Sequence, residues 1–236
     1  MPTADTGRGV VGDAAVISVP AGLFLMGCNT AIDAQCFSDE MPGHTVTLTR
    51  AYEIDATEVT QQAYQRCIDA SQCTAPSSDF DPGGFPLLPV VLVTWDEAFA
   101  YCAWRGRRLP TEAEWELAAR GRNGAVFPWG NDAPTCERTN ALGCNPGRQD
   151  VAQHPAGVSW IGGFDFSGNV WEWTQDFYDA TYYQTSPAVD PTGPSTAAMH
   201  TMRGGYWQNS ADNIRSSVRA SGVPAMWLGF RCAVSL

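Results

Sequence analysis

Cysteine is the residue type in this chain with the most chemistry to offer, and the spacing of the cysteines limits what that chemistry can be. Six of the eight cysteines form close pairs in the sequence: Cys28 with Cys36, Cys67 with Cys73, and Cys136 with Cys144. The other two, Cys102 and Cys232, have no close neighbour of this kind. No pair has the C-x-x-C spacing of many zinc sites, and the three histidines are scattered. We therefore expect four disulfides and a secreted, periplasmic or cell-surface location.

The charged residues exclude several classes of function. The chain has 14 basic and 25 acidic residues, a net charge of −11, which repels phosphate backbones and anionic lipids. All basic residues are arginine, so the chain can supply neither a Schiff-base lysine nor a P-loop lysine. No apolar run approaches the length of about 18 residues that a membrane helix needs. We expect no nucleic-acid partner and no membrane insertion.

Capping signals predict three short helices between residues 57 and 121. Thr57, Thr94 and Thr111 are the expected N-caps, and the last two are followed three residues later by glutamate, as in a capping box.

Alternating apolar residues predict a strand over residues 44–55 and a hairpin, or a strand with a turn, over residues 15–27. From residue 122 onward, Gly, Pro, Asn or Asp occurs every few residues and no helical periodicity is present, which indicates loops around short strands. Residues 1–14 are small and polar, and we expect them to be a flexible leader. No linker or repeat divides residues 15–236, which favours a single α+β domain.

Six motifs in a fixed order resemble the formylglycine-generating enzyme family, also called sulfatase-modifying factors. They are "FLMG", "YCAWRGRRLPTEAEWELAARG", "FPWGN", "SGNVWEW", "RGGYW" and "LGFRC", and they span about residues 17–234. The resemblance implies a variant of the C-type lectin fold, with small antiparallel sheets, few short helices and abundant loops. It also implies a disulfide between Cys102 and Cys232.

The segment "DFSGNVWEW" is expected to bind structural calcium. Asp165 and Glu172 supply carboxylate oxygens, and Gly168 and Val170 could turn backbone carbonyls inward, which suits a cation that takes six to eight oxygen ligands. The matching positions bind calcium in the family that the chain resembles. The alternative is that Glu172 caps a turn and the tryptophans fill the core.

The same resemblance implies a second calcium site. Its ligands would be the side chain of Asn140, the carbonyl of Ala141 and the carboxylate of Asp150. The segment 145–150 is shorter here than in the family.

Formylglycine-generating enzymes oxidise a substrate cysteine with oxygen and use copper held by two thiolates, because soft sulfur ligands select Cu(I). Those thiolates follow a Gly-Gly-Ser motif. In this chain Asn209 falls at the first thiolate position, and Asn213 or Ile214 at the second, so we expect neither copper nor formylglycine generation. The close pairs Cys67–Cys73 and Cys136–Cys144 lie in loops far from this motif and are better explained as disulfides.

The altered pocket suggests a binding module for a peptide, protein or glycan, with aromatic platforms and polar rims. Its expected residues are Tyr206, Trp207, Asn209, Asn213, Arg215, Arg219 and Trp227. Proteins of this fold include the variable proteins of diversity-generating retroelements, whose changeable positions lie in this C-terminal segment. The alternatives are an oxidoreductase or peptide-modifying enzyme of the same family with altered active-site chemistry, and a structural domain without activity.

Overall fold

The computed structural model describes residues 15–236, so the expected leader at 1–14 lies outside the described residues. Three α-helices and nine short strands are present in the described part, separated by long loops. The helices are α1 (Gln61–Asp69), α2 (Trp95–Trp104) and α3 (Glu112–Arg120). The strands are β1 (Val16–Val19), β2 (Gly22–Met26), β3 (His44–Leu48), β4 (Tyr52–Asp55), β5 (Trp171–Phe177), β6 (His200–Arg203), β7 (Arg219–Ser221), β8 (Leu228–Phe230) and β9 (Ala233–Ser235). This arrangement confirms the predicted α+β class.

Helices α2 and α3 begin where the capping boxes predict. The hydroxyl of Thr94 accepts the Glu97 N–H, the hydroxyl of Thr111 accepts the Glu114 N–H, and each glutamate in turn accepts the N–H of its cap residue. Helix α3 ends at Gly121, whose φ of +75° is a conformation that glycine adopts far more readily than other residues.

Helix α1 begins three residues later than predicted. Thr60, and not Thr57, caps it by accepting the N–H of the third helical residue. The chain just before the helix is extended, because the Val59 N–H donates to the Phe230 carbonyl and the Val59 carbonyl accepts the Val90 N–H. Pairing with two distant segments therefore decides where this helix begins.

The strands form three small sheets with the orders β1–β4–β9, β2–β3 and β7–β6–β5–β8. The largest sheet is mixed, because β5 and β8 run parallel while the other pairs are antiparallel. Strands β1 and β2 belong to different sheets, so the hairpin considered for residues 15–27 does not form. The single strand expected over residues 44–55 is divided into β3 and β4.

All eight cysteines are paired as expected. The disulfides are Cys28–Cys36, Cys67–Cys73, Cys102–Cys232 and Cys136–Cys144. The Cys102–Cys232 bond joins α2 to the short connection between β8 and β9, across 130 positions of sequence. No helix within residues 15–236 is long and apolar enough to cross a membrane.

Buried ion pairs connect α3 to the C-terminal third of the chain. Every residue of α3 is buried, including its acidic residues. Arg203 donates to Glu116 at 2.5 Å and to Glu112 at 3.1 Å, and Arg219 donates to Glu112 at 2.7 and 2.8 Å. Because buried charges are tolerated when they are paired and hydrogen-bonded, these contacts fix the path of the segment after β6.

Candidate functional site

An aromatic surface, made of Tyr206, Trp207 and Trp227, lies just after β6 and just before β8. The rings of Tyr206 and Trp227 are half-buried and tilted at 38°, with centroids 5.5 Å apart. Trp207 is only 6% exposed and packs in a small cluster with Val91 and Val170. In the part of the chain that the structure describes, its buried indole N–H has no hydrogen-bond partner. The rings of Tyr206 and Trp227 therefore face outward, and the buried ring of Trp207 lies beneath them.

A glycine turn sets the position of this surface. Gly204 and Gly205 have φ values of +99° and +77°, and a Cβ on Gly205 would lie 2.7 Å from the Ile214 side chain. After the turn, the Asn209 side chain accepts the Tyr206 N–H at 3.0 Å and closes a short loop. The backbone there requires glycine, and the loop is held by Asn209, the residue that the sequence analysis expects in place of the first thiolate.

Asn213 lies in the 3-10 turn Ala211–Asn213, is half-buried and donates to the Ser210 hydroxyl at 3.2 Å. Together with Asn209 it supplies polar groups to the segment that follows the aromatic surface.

Arg215 and Arg219 are placed differently from the sequence-based expectation of a ligand role. They are 2% and 3% exposed. Arg215 donates to Glu40 at 2.6 and 2.8 Å and to Asp33 at 2.8 Å. Arg219 forms its ion pair with Glu112. Because their guanidinium groups are already satisfied inside the protein, these arginines hold the scaffold beneath the surface.

The disulfide Cys136–Cys144 lies beside the candidate site. The sequence analysis, which placed this pair far from the motif, was wrong on this point. The Leu142 N–H donates to the Asn209 carbonyl at 3.0 Å. Both cysteines and Asn209 line one cavity of about 180 Å³. Neither cysteine of this pair is buried, whereas each of the other three disulfides has at least one buried cysteine.

The two segments expected to bind calcium touch each other. Asp165, Gly168 and Asn169 all have φ between +57° and +85°, so the backbone of this loop turns sharply. The Asn169 N–H donates to the Asn140 carbonyl at 2.8 Å, and a Cβ on Gly168 would lie 2.4 Å from the same oxygen. Gly168 is therefore required by the close approach of the two segments.

Several of the expected calcium ligands have partners within the protein. Glu172 is fully buried, and its two carboxylate oxygens accept hydrogen bonds from Arg231, each at 2.6 Å, and from the Trp115 indole at 2.8 Å. The Ala141 carbonyl accepts the Cys144 N–H. Val170 is completely buried, and Asp150 is exposed.

Glu58 is a buried acidic residue that the sequence reasoning did not single out. Its side chain is completely buried; Oε1 accepts the Asn169 side-chain amide at 3.0 Å, and Oε2 has no hydrogen-bond partner among residues 15–236. Asp165 carries an acidic charge that acts on Glu58, and its own carboxylate accepts the Ala152 N–H at 2.7 Å. Nothing in the sequence "TEVT" distinguishes Glu58 from an exposed glutamate.

The electrostatics of this carboxylate pair, Glu58 and Asp165, follow from burial. Burial raises the pKa of Glu58 well above its ordinary value, and the neighbouring charges of Asp165 and Glu172 raise it further. Burial also raises the pKa of Asp165, which the hydrogen bond from Ala152 partly opposes. Within residues 15–236, no three acidic, histidine or cysteine side chains form a cluster that could hold a metal ion. Any cation here would need carbonyl and water ligands as well.

The sequence and fold have clear relatives. Residues 7–236 match the family model described as sulfatase-modifying factor enzyme 1-like domain. The formylglycine-generating enzyme of Streptomyces coelicolor is 32% identical over 281 aligned positions, which cover 92% of this chain and 88% of that protein.

A mouse protein named inactive C-alpha-formylglycine-generating enzyme 2 is 41% identical over 167 positions, which cover 63% of this chain and about half (49%) of the mouse protein. The solved structure of Treponema denticola variable protein 1 superposes with a TM-score of 0.74 at 24% identity, covering 94% of this chain and 95% of that one. The expected fold, a formylglycine-generating-enzyme type of C-type lectin fold, is thereby confirmed. The chain belongs to the sulfatase-modifying factor family.

Proposed function

We propose that this protein is a binding module that takes a peptide, protein or glycan ligand on the aromatic surface and does not generate formylglycine. The observation that carries the proposal is the pair of outward-facing rings, Tyr206 and Trp227, beside an asparagine at the first thiolate position. The name of the mouse relative, which describes an inactive enzyme, supports the same view.

The surface has the properties of a recognition site. Tyrosine and tryptophan supply large apolar area with little loss of conformational entropy, and such residues dominate the binding energy of many interfaces. The unpartnered N–H of Trp207 beneath them costs roughly 1–3 kcal/mol while it stays unsatisfied. A ligand or water oxygen that reached it would offset that cost.

Glycan and peptide arrays probed with the purified protein test this proposal. For any ligand found, Trp227→Ala is expected to weaken binding about tenfold or more, because truncating a central aromatic costs above about 1.4 kcal/mol. Trp104→Ala is the matched control, since Trp104 is a 37% exposed tryptophan at the end of α2. An absence of ligands on both arrays, or a signal that survives Trp227→Ala, would count against the proposal.

A location outside the cytoplasm and a structural calcium ion are parts of the same proposal. Four disulfides support an oxidising compartment. Retroelement-driven diversification of the C-terminal segment also belongs here, and adenine-rich codons beside a reverse-transcriptase gene would test it.

A second candidate function is thiol chemistry at Cys136 and Cys144, since this disulfide and Asn209 share a cavity. Soft thiolates bind Cu(I), so the reduced pair would be the place for copper in an enzyme of altered chemistry. The test is incubation of the reduced protein with Cu(I), molecular oxygen as the oxidant and a Cys-x-Pro-x-Arg peptide. The binding proposal expects no aldehyde product; a mass loss on the peptide that disappears in Cys136→Ser would establish the enzyme instead.

A further inference from the structure

We propose a second ligand site, a cavity lined by α2 and β5 that binds a neutral oligosaccharide. The cavity has a volume of about 640 Å³, and its walls come from α2, β5, the loop 192–195 and β6. In the described part of the chain, none of the three residues of the aromatic surface is among its lining residues. The site therefore goes beyond the proposed function and can be tested apart from it.

Four rings stacked in a row form one side of this cavity. Phe99 stacks on Trp95 and Trp95 on His200, with centroids 5.2 and 3.8 Å apart and interplanar angles of 20° and 7°. His200 stacks in turn on Phe177, at 4.2 Å and 23°. Phe99 is 42% exposed at one end of the row. An exposed apolar ring of this kind is a surface on which the C–H face of a sugar can pack.

Hydrogen bonds to the backbone hold two of these rings in place. The Trp95 indole N–H donates to the Thr174 carbonyl at 2.7 Å. His200 Nδ1 lies 3.2 and 3.3 Å from the carbonyl oxygens of Gln175 and Asp176, so Nδ1 carries the proton that these oxygens accept. A wall that is already ordered lowers the entropic cost of binding a ligand.

The polar groups on this wall are chiefly hydrogen-bond acceptors. Because Nδ1 of His200 carries the proton, Nε2 is left as an acceptor, and burial lowers the pKa of His200, so the ring is neutral at neutral pH. Asp96 is exposed and adds a carboxylate. The side-chain oxygen of Gln175, also on this wall, has no hydrogen-bond partner among the described residues. These acceptors suit a ligand that brings several donors, as the hydroxyl groups of a sugar do.

The cavity continues past Gln175 and Thr192, which also line a neighbouring cavity of about 350 Å³. Arg50 lines the neighbouring cavity, is exposed and can donate to sugar oxygens. The charged residues that line the two cavities are three acids and two arginines: Asp96, Glu114, Asp190, Arg50 and Arg108. The combined length suits an oligosaccharide, and the small excess of negative charge disfavours sulfated or sialylated chains.

Isothermal titration calorimetry of the full chain with neutral tetrasaccharides of glucose, mannose and N-acetylglucosamine tests the proposal. At least one of them is expected to bind. A heparin-type sulfated tetrasaccharide and a proline-rich peptide are the comparison ligands. Neither should bind with similar affinity, because the first is anionic and the second supplies few hydrogen-bond donors.

Two variants separate the apolar contact from the polar one. Phe99→Ala removes the exposed ring and should weaken saccharide binding about tenfold or more. His200→Phe keeps a ring that can stack but removes the Nε2 acceptor, and should weaken binding about two- to tenfold through the loss of one neutral hydrogen bond. Trp104→Ala, which removes the other exposed aromatic ring of α2, is the matched control and should bind as the unmodified protein does. If His200→Phe fails to fold, Asp96→Ala replaces it, since Asp96 is exposed and also supplies an acceptor.

The proposal is overturned if no neutral tetrasaccharide binds, or if binding survives both Phe99→Ala and His200→Phe. Equal affinity for the sulfated chain, or peptide binding that His200→Phe leaves unchanged, would also refute it, because the cavity would then select charge or apolar contact alone. Trp227→Ala keeps the two proposals apart. Saccharide affinity lost in Phe99→Ala but kept in Trp227→Ala supports this site whatever the aromatic surface binds, and the reverse result refutes it while leaving the proposed function standing.

Discussion

Replacing Arg215 by methionine is expected to destabilise the fold while leaving ligand binding by the folded protein unchanged. Arg215 is 2% exposed, and it satisfies the carboxylates of Glu40 and Asp33, which are 0% and 8% exposed. Methionine has a similar length and no charge, so the variant leaves both carboxylates buried without their partner. Breaking a buried pair in this way typically costs about 3–5 kcal/mol.

For a chain of this size, that loss corresponds to a fall in melting temperature of roughly 6–20 °C. Urea unfolding followed by circular dichroism measures the change in unfolding free energy, and an unchanged m value shows that both proteins unfold to the same degree. Arg50→Met is the control, since Arg50 is exposed and its replacement should change stability by about 0.5 kcal/mol or less.

The reasoning is refuted if Arg215→Met costs less than about 1 kcal/mol, because the contacts would then not carry the energy assigned to them. It is also refuted if the variant keeps its stability but loses affinity for a ligand that the unmodified protein binds. In that case Arg215 would be a ligand contact, as the sequence alone had indicated.

Three further predictions concern disulfides and pH. Changing both Cys102 and Cys232 to alanine should lower the unfolding free energy by about 2–5 kcal/mol in urea titrations, because the bond closes the longest loop; a change within error would contradict this. Burial raises the pKa of Asp55 to about 6, so the folded state binds a proton that the unfolded state releases near pH 4. Stability should therefore fall by up to roughly 3 kcal/mol as the pH rises from about 4 to 6, and Asp55→Asn should flatten that slope; an unaltered slope would assign it to other groups. Mild reductant should open Cys136–Cys144 before the other disulfides, as seen by differential alkylation and peptide mapping, and an earlier release of any other pair would contradict its exposure.

The sequence predicts those parts of the structure that depend on neighbouring residues. The helices capped by Thr94 and Thr111 begin as expected, because a capping box is a contact between residues three positions apart. Close cysteine pairs such as Cys67–Cys73 could be assigned for a similar reason. The start of α1 could not, because Phe230 and Val90 hold the preceding residues extended from far away in the sequence.

The candidate site was only partly predictable for the same reason. Tyr206 and Trp227 are half-exposed near each other, as a recognition surface requires, yet the arginines grouped with them are buried against acidic residues more than 100 positions away. Glu58 carries no local signal, because its burial arises only when the distant loop 165–169 packs against it and Asn169 donates to its carboxylate. Charge pairing across long separations is what the sequence does not display.

The buried arginines have a consequence for protein engineering. They divide the C-terminal third into fixed anchors and outward-facing stretches: the anchors are Arg203, Arg215, Arg219 and Arg231, and the exposed positions between them include Gln208, Ala211, Asp212, Val223 and Met226. The anchors point into the core, so the exposed side chains can be exchanged without touching the contacts that hold the backbone. A randomised library restricted to those exposed positions would vary the surface while every member kept the same arginine framework, which is the requirement for a display scaffold.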